Sequence, residues 1–285
     1  MSLIIMATIL SQLVMMETVM IVTEILYFTL WRTTVLSEKF PIVIDIETAN
    51  LGPSNNGGVV NPEDWTIACV GVYDSLTDER YVFIPFEEIV LFSHDESVNS
   101  QSFTRLKSNL IKTTNADYIL PLYPSSYGLG SLASALNHWA SKNRYFLTHR
   151  GHTFDWPILS HYLGTQDLYA LLKLKGYLLD THAYIEQQTG HNCGLNALIT
   201  SCLGPSNEKT LKGKDAPKIW TDGVKAYQSN LDSSKLSLVI DYCIGDVVKT
   251  YGVFKFGLEN EVIEVVPYGV ECKVSVPITS WGVNL

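Results

Sequence analysis

The sequence predicts an α/β domain in which a mixed β-sheet is flanked by helices. Two observations predict this fold class. Apolar runs rich in β-branched residues come first along the chain, and helical and β-rich runs alternate later, an order typical of a mixed sheet covered by helices. Of the 285 residues, 46% are hydrophobic and 17% are charged, which excludes a disordered or collagen-like chain and allows a large core.

Strand predictions follow from short β-rich runs bounded by turn residues. Residues 40–48 are mostly apolar and predict a buried strand, whereas residues 49–64 are rich in Gly, Pro and Asn and predict a loop. Residues 261–278 alternate Val and Ile with polar residues, which is typical of a terminal hairpin. The remaining predicted strands are residues 65–73 and 80–86, which form a hairpin, and residues 144–148.

Helix predictions rest on apolar residues spaced three and four positions apart. The longest predicted helix covers residues 235–256, and another covers residues 194–203 and ends at Gly204-Pro205. Residues 87–115 are polar and irregular, so that at most a short helix is expected there. The other predicted helices are residues 131–142 and 154–163.

The charge and the cysteines narrow the class of protein. Acidic residues outnumber basic ones by 29 to 20, and the net charge of −9 argues against a general basic coat for nucleic acid. It does not exclude an enzyme whose site is a carboxylate cluster neutralised by metal ions. The five cysteines are scattered without a CxxC pair, which disfavours a disulfide framework or a zinc ribbon and indicates a reducing cytoplasm.

The first 31 residues differ from the rest of the chain, because they are almost wholly apolar and contain all five Met. No basic residue precedes Arg32, which argues against a secretory signal peptide. Glu17 and Glu24 would be costly in lipid, so a membrane span is the less favoured interpretation. A helix that packs on the domain or on a second copy of the chain is favoured, and a start codon assigned too far upstream is the third interpretation.

The first chemical signal is Asp45-Ile46-Glu47 at the end of the first predicted strand. Side chains at positions i and i+2 of a strand point to the same face, so the two carboxylates project together. Adjacent carboxylates repel each other, and a divalent metal ion is their natural partner. Taken alone, however, the pair is a frequent chance match, and solvated acids at a strand end are the favoured interpretation over a metal site.

The second signal is Asp155, which follows a predicted strand and a turn at Gly151 and precedes a predicted helix. Taken alone, this position favours a helix N-cap over a metal ligand. Asp180 follows two leucines at another predicted strand end, and we expect it to support the site indirectly or to cap a helix.

The third signal is the pair Tyr242 and Asp246 on the longest predicted helix. Residues four apart share one face of a helix, so the two side chains point to the same place. A carboxylate within an otherwise apolar helix indicates either a functional site or an exposed position. The alternative is an exposed polar stripe that includes Asp241 and Lys249, with Tyr242 as a core aromatic residue.

In this order along the chain, the three signals resemble the DEDD superfamily of 3′–5′ exonucleases, which have a ribonuclease H-like fold, in its tyrosine-bearing subgroup. The chain is similar in particular to predicted stand-alone exonucleases related to the proofreading domain of family B DNA polymerases. Arg150 departs from the pattern, in which that position is often Asn. The segments that carry the resemblance are VIDIET (43–48), HRGHTFDWPIL (149–159), LDT (179–181), KIWTDG (218–223) and DYCIGDVVKT (241–250).

The resemblance divides the chain into an apolar segment (residues 1–38), an exonuclease-like domain (residues 39–257) and a β-rich tail (residues 258–285). It implies removal of nucleotides from the 3′ end of single-stranded DNA, and with it a loose expectation of a role in DNA repair. The alternatives are a ribonuclease on the same fold and a non-catalytic nucleic-acid-binding module, which residues 1–31 could tether to a membrane.

The resemblance also implies two Mg²⁺ or Mn²⁺ ions and a role for each site residue. Asp45 would bridge both ions, Glu47 and Asp246 would hold the ion on the nucleophile side, and Asp155 would hold the ion on the leaving-group side. Tyr242 would orient the attacking water, because an ordinary tyrosine pKa of about 10 suits a positioning group better than a base.

An exonuclease holds its substrate by stacking bases on aromatic rings and by contacting phosphates with basic side chains. The lysine-rich residues 209–218 are equally well explained as a strand-guiding loop and as a solvated surface loop. The candidate substrate contacts near the motifs are Arg150, His152, Phe154, Trp156 and Trp220.

Overall fold

A six-stranded mixed β-sheet lies at the centre of the computed structural model, which describes residues 40–53, 60–90, 96–124, 131–209, 211–278 and 281. All of these residues belong to one unit, Phe40–Leu285. The interpretations of residues 1–31 therefore lie outside the described residues. The strands are β1 (Ile42–Thr48), β2 (Ile67–Asp74), β3 (Glu79–Ile84), β4 (Tyr118–Pro121), β5 (Phe146–Thr148) and β6 (Leu178–Asp180).

The strands of this sheet follow the order β4-β3-β2-β1-β5-β6. β1 pairs antiparallel with β2, and β2 pairs antiparallel with β3. The β1–β5, β5–β6 and β3–β4 pairs are parallel. The carboxyl ends of β1, β5 and β6 therefore meet at one edge of the sheet, where all three predicted motifs converge.

Helices cover the sheet, which confirms the predicted α/β fold class with a mixed sheet. None of the helices within the described residues combines the length and apolarity needed to cross a membrane. The helices are α1 (Phe86–Ile89), α2 (Glu96–Thr113), α3 (Ser131–Ser141), α4 (Asp155–Leu163), α5 (Gln166–Leu174), α6 (Thr181–Thr189), α7 (Leu195–Leu203), α8 (Ala216–Asn230) and α9 (Ser234–Asn260).

Alternate side chains of β1 point to opposite faces of the sheet and pack into two different hydrophobic clusters. Ile42, Ile44 and Ile46 pack into one hydrophobic cluster, and Val43 packs into the other. Asp45 and Glu47 continue the face of Val43. That face is covered by α9, which packs against β1 and β2.

The region between β3 and β4 differs from the prediction. Residues 87–115 were expected to be largely irregular, but α2 covers 18 of them, Glu96–Thr113. The prediction was wrong because Ser and Asn are frequent in this segment and weaken its intrinsic helix signal. Burial of Leu106 and Leu110, which lie one turn apart, provides the tertiary stabilisation that outweighs this preference.

A buried ion pair closes the end of the sheet away from the motifs. Arg144 donates hydrogen bonds to both carboxylate oxygens of Asp74, at 2.7 and 3.3 Å, and one to the carbonyl oxygen of Phe40 at 2.8 Å. Asp74 ends β2 and Arg144 precedes β5, and these two strands are the neighbours of β1. The ion pair therefore connects the two strands on either side of β1, close to where β1 begins.

The predicted terminal hairpin is present as β7 (Val262–Val265) and β8 (Val274–Pro277), which pair antiparallel. Its inward residues Ile263, Val265 and Val276 are fully buried. Trp281 secures the end of the hairpin by donating its indole hydrogen bond to the carbonyl oxygen of Phe254 at 2.9 Å. The hairpin is thus packed onto the α/β unit.

Candidate metal centre

Three carboxylates meet where the end of β1 lies under α9. Asp45, Glu47 and Asp246 each place a carboxylate oxygen within 4.8 Å of the others. Glu47 and Asp246 are buried and Asp45 is partly buried. Three acids gathered away from water need positive charge to remain ionised.

A glycine on the neighbouring strand lets the helix approach these acids closely. Gly71 on β2 lies opposite Asp45, and a Cβ atom at this glycine would lie only 2.8 Å from Sγ of Cys243 on α9. The Sγ of Cys243 in turn lies 3.6 Å from the carbonyl oxygen of Asp45. Asp246 follows Cys243 by three residues, so the same close approach brings its carboxylate to the two acids of β1.

Asp155 does not cap α4, as its position in the sequence favoured. Phe154 occupies the N-cap position without a side-chain hydrogen bond, and Asp155 is the first helical residue. Its Oδ1 instead accepts a hydrogen bond from the backbone N–H of Ile46 at 3.0 Å. The capping interpretation missed this contact because the two residues are 109 positions apart. This hydrogen bond holds Asp155 next to Ile46, which lies between Asp45 and Glu47 on β1.

Burial raises the pKa of all four acids. At Asp45 and Glu47 the pKa is raised well above the ordinary value, because repulsion from neighbouring carboxylates adds to the loss of water. Burial also raises the pKa of Asp246, and it raises that of Asp155 to about 7 against the opposing hydrogen bond from Ile46. A multivalent cation would reverse these shifts by stabilising the ionised forms.

The donor set fits a hard divalent cation. Carboxylate oxygens are the ligands that Mg²⁺ and Mn²⁺ prefer, and the described cluster offers no sulfur or imidazole ligand among its three members. The residues present are therefore compatible with the predicted cofactor class.

Lys209 supplies a positive charge to this cluster that the sequence did not reveal. Its Nζ donates hydrogen bonds to Oδ2 of Asp246 and, at 3.2 Å, to the hydroxyl of Tyr242. The side chain of Lys209 is 19% exposed and that of Asp246 is 4% exposed. Burial alone would lower the pKa of Lys209, but the carboxylates of Asp246 and Asp45 outweigh it and raise the pKa. Lys209 begins the lysine-rich segment 209–218, for which a strand-guiding loop or a surface loop was expected, and its contact with Asp246, 37 positions away, was not foreseen.

Tyr242 lies beside Asp246 on the buried face of α9, as the four-residue spacing predicted. Its ring lies 5.2 Å below Nζ of Lys209. Burial and the nearby carboxylates raise its pKa well above the ordinary value. The hydroxyl therefore stays protonated at neutral pH and can donate a hydrogen bond.

An open cleft of about 980 Å³ leads to these residues. Its wall includes Arg150, which is exposed, and Phe154, whose ring meets that of Trp65 edge-on with centroids 4.8 Å apart. Two of the predicted substrate contacts thus face the cleft.

Three other predicted contacts do not face the cleft. Trp156 is 2% exposed and stacks on Tyr169 in the core, and Trp220 is 1% exposed. His152 is partly buried and does not line the cleft. Proximity to a motif in the sequence did not reveal that these side chains point inward.

Asp180 has the supporting role expected of it. Its Oδ1 caps α6 by accepting the backbone N–H groups of His182 and Ala183, at 3.0 and 3.2 Å. The same carboxylate accepts the backbone N–H groups of Arg150 and His152, at 2.8 and 3.0 Å. It therefore holds the turn before Asp155, in which Arg150 adopts a positive φ of 73°.

Comparison with known proteins yields a family and a structural neighbour. A family model described as RNase_H superfamily matches residues 114–256. Among solved structures, the chain is similar to the family B DNA polymerase from the hyperthermophilic archaeon Pyrobaculum calidifontis, with 14% identity and a TM-score of 0.42 over 76% of this chain. The chain spans 24% of the length of that polymerase. No curated protein sequence matches this chain.

Proposed function

Because the chain belongs to the RNase_H superfamily, we propose that it is a metal-dependent nuclease, and in particular a 3′–5′ exonuclease that acts on single-stranded DNA. The observation that carries this proposal is the meeting of Asp45, Glu47 and Asp246 at an open cleft. Asp155 and Tyr242 line the same cleft. The order of these five residues along the chain supports the tyrosine-bearing exonuclease class.

The four acids are the proposed holders of the cations, and three of them, Asp45, Glu47 and Asp246, already lie within 4.8 Å of one another. Two Mg²⁺ or Mn²⁺ ions bound there would stabilise the charge that develops on the scissile phosphate and would activate water as the nucleophile. Asp155 is the proposed fourth ligand, and its hydrogen bond from Ile46 keeps it beside the β1 acids.

Tyr242 acts in this proposal as a positioning group. Its protonated hydroxyl, already next to Asp246, donates a hydrogen bond that orients the attacking water in line with the bond to be broken. The ammonium group of Lys209 balances part of the carboxylate charge in the same place.

The cleft wall provides the proposed contacts to the substrate. Arg150 is exposed and suits a phosphate, and the paired rings of Phe154 and Trp65 suit a base. The open form of the cleft suits a single strand, whose bases are free to stack on protein side chains.

The test uses the full chain with linear single-stranded DNA and RNA of one sequence, each labelled at the 5′ end. We expect a ladder that shortens from the 3′ end in Mg²⁺ or Mn²⁺, and no ladder in EDTA. A circular single strand should resist cleavage. Preference for RNA would correct the substrate, and cleavage of the circle would overturn the exonuclease assignment.

Matched variants separate the site from a contaminating nuclease. Asp45→Asn and Asp246→Asn should each abolish the ladder, whereas Asp167→Asn removes the same charge from an exposed position of α5 and should leave it unchanged. Full activity in either site variant would show that the carboxylate cluster is not the catalytic site.

A further inference from the structure

The C-terminal hairpin carries an exposed aromatic ring into the wall of the cleft. Tyr268 lies in the connection between β7 and β8 and lines the same cleft as Asp45 and Asp246. It is 68% exposed, which makes it the most exposed of the described aromatic residues that line the cleft. The matched family model ends at residue 256, so that this ring belongs to a part of the chain outside it.

The backbone holds Tyr268 in a defined place. Its N–H donates a hydrogen bond to the carbonyl oxygen of Asn192 at 2.8 Å. The turn is closed by a hydrogen bond from the N–H of Val270 to the carbonyl oxygen of Pro267 at 3.2 Å, and Gly269 supplies the positive φ of 76°. The buried residues of the hairpin anchor this turn to the α/β unit.

The side chain is also fixed in direction. A Cβ atom at Gly194 would lie only 2.2 Å from the hydroxyl oxygen of Tyr268, so the absence of a side chain at Gly194 makes room for the phenol. Gly194 precedes α7 and also lines the cleft. The ring therefore lies along the cleft wall with most of its surface exposed to solvent.

The surroundings of the ring suit a single strand of nucleic acid. Lys212 and Lys214 line the same cleft and are exposed, so that they can meet phosphates. An exposed ring and exposed lysines along one cleft are the combination by which proteins hold single strands through stacking and charge.

We infer that Tyr268 forms a nucleobase-stacking subsite, in which the terminal hairpin holds one base of the strand whose 3′ end lies at the carboxylates. This inference rests on the proposed function. The phenol ring provides the stacking surface, and its hydroxyl, which lies against Gly194, is not required for stacking.

The binding test uses fluorescent single-stranded oligonucleotides in Ca²⁺, a condition chosen to permit binding while slowing cleavage. Tyr268→Ala should weaken binding about tenfold, and Tyr268→Phe should bind as the unchanged protein does. Tyr268→Leu keeps apolar bulk without an aromatic face and should fall between them. If all three variants bound the oligonucleotide as tightly as the unchanged protein does, Tyr268 would not be a stacking subsite.

An abasic nucleotide, moved one position at a time from the 3′ end, identifies the stacked base. At one position the abasic substitution should weaken binding to the unchanged protein about tenfold and should not weaken binding to Tyr268→Ala further. The same loss in both proteins at every position would mean that Tyr268 stacks on no base.

Activity separates the subsite from the proposed function. In Mg²⁺, Tyr268→Ala should raise KM about tenfold with little change in kcat, because the ring lies outside the carboxylate cluster. A loss confined to kcat would overturn the subsite. Oligonucleotide binding that depends on Tyr268, without any cleavage, would refute the nuclease and leave the subsite standing. Absence of both binding and cleavage in the unchanged protein would refute both.

Discussion

Replacing Lys209 with Met tests whether an internal cation balances the metal centre. Methionine keeps the unbranched stem but removes the ammonium group that donates to Asp246 and Tyr242. Breaking a buried ion pair costs about 3–5 kcal/mol. Since Lys209 is 19% exposed, the lower end, about 3 kcal/mol, is the expected loss in metal-free protein. At about 2–4 °C per kcal/mol, the melting temperature in EDTA should fall by about 6–12 °C.

The same substitution should strengthen metal binding, because it removes a positive charge from the place where cations are expected. Even at the dielectric constant of water, a unit charge about 4 Å from a divalent ion costs about 2 kcal/mol, or more than tenfold in affinity. Mg²⁺ or Mn²⁺ should therefore bind Lys209→Met at least about tenfold more tightly and should restore most of the lost melting temperature.

Calorimetric titration with Mn²⁺ and thermal melts in EDTA provide both measurements. Lys214→Met is the matched control, since Lys214 is exposed in the same loop. The control should change neither quantity appreciably. If Lys209→Met melts like the unchanged protein in EDTA and binds metal no more tightly, Lys209 is not the internal counter-ion and the reasoning fails.

Three further predictions follow from the same contacts. Arg144→Met should lower the free energy of unfolding in urea by about 3–5 kcal/mol, by stranding Asp74, and should leave metal affinity unchanged; an equal loss of metal affinity would contradict this separation. In EDTA, the contribution of Asp155 to the free energy of unfolding should fall as pH rises from about 4 to about 7. The reason is that the folded protein holds this proton to about pH 7, whereas an ordinary Asp releases it near pH 4. Comparing urea unfolding of the unchanged protein with that of Asp155→Asn across this range isolates the effect, and a difference independent of pH would contradict it. Tyr242→Phe should keep metal affinity and slow cleavage about ten- to hundredfold, the value of one hydrogen bond to a charged group; unchanged single-turnover rates would remove Tyr242 from the mechanism.

The sequence predicted those features that depend on local periodicity. The two-residue spacing of Asp45 and Glu47 and the four-residue spacing of Tyr242 and Asp246 each place a pair on one face, whatever the rest of the fold does. The apolar runs likewise predicted the central strands and α9. These are properties of neighbouring residues, and they can be recognised without knowledge of tertiary contacts.

The remaining features depend on contacts between distant parts of the chain. Whether Asp155 caps its own helix or receives the N–H of Ile46 is decided by the packing of α4 against β1. Lys209 reaches Asp246 only because the loop between α7 and α8 folds back over α9. Trp156 and Trp220 were expected at the cleft but are buried in the core. An aromatic ring is suited both to a core and to a binding surface, and only the packing of the folded chain distinguishes the two.

The contact between Gly71 and Cys243 has a consequence for ion selectivity. Mg²⁺ requires ligands at about 2.0–2.1 Å, whereas Ca²⁺ accepts about 2.3–2.6 Å, a difference of only a few tenths of an ångström. An alanine at position 71 would place its Cβ 2.8 Å from Sγ of Cys243. To relieve that overlap, α9 would have to move away from β2 by about 0.5–1 Å. We therefore expect an alanine at position 71 to move the carboxylate of α9 relative to those of β1 by more than the difference between the two ions' ligand distances, and so to change which of the two ions they prefer.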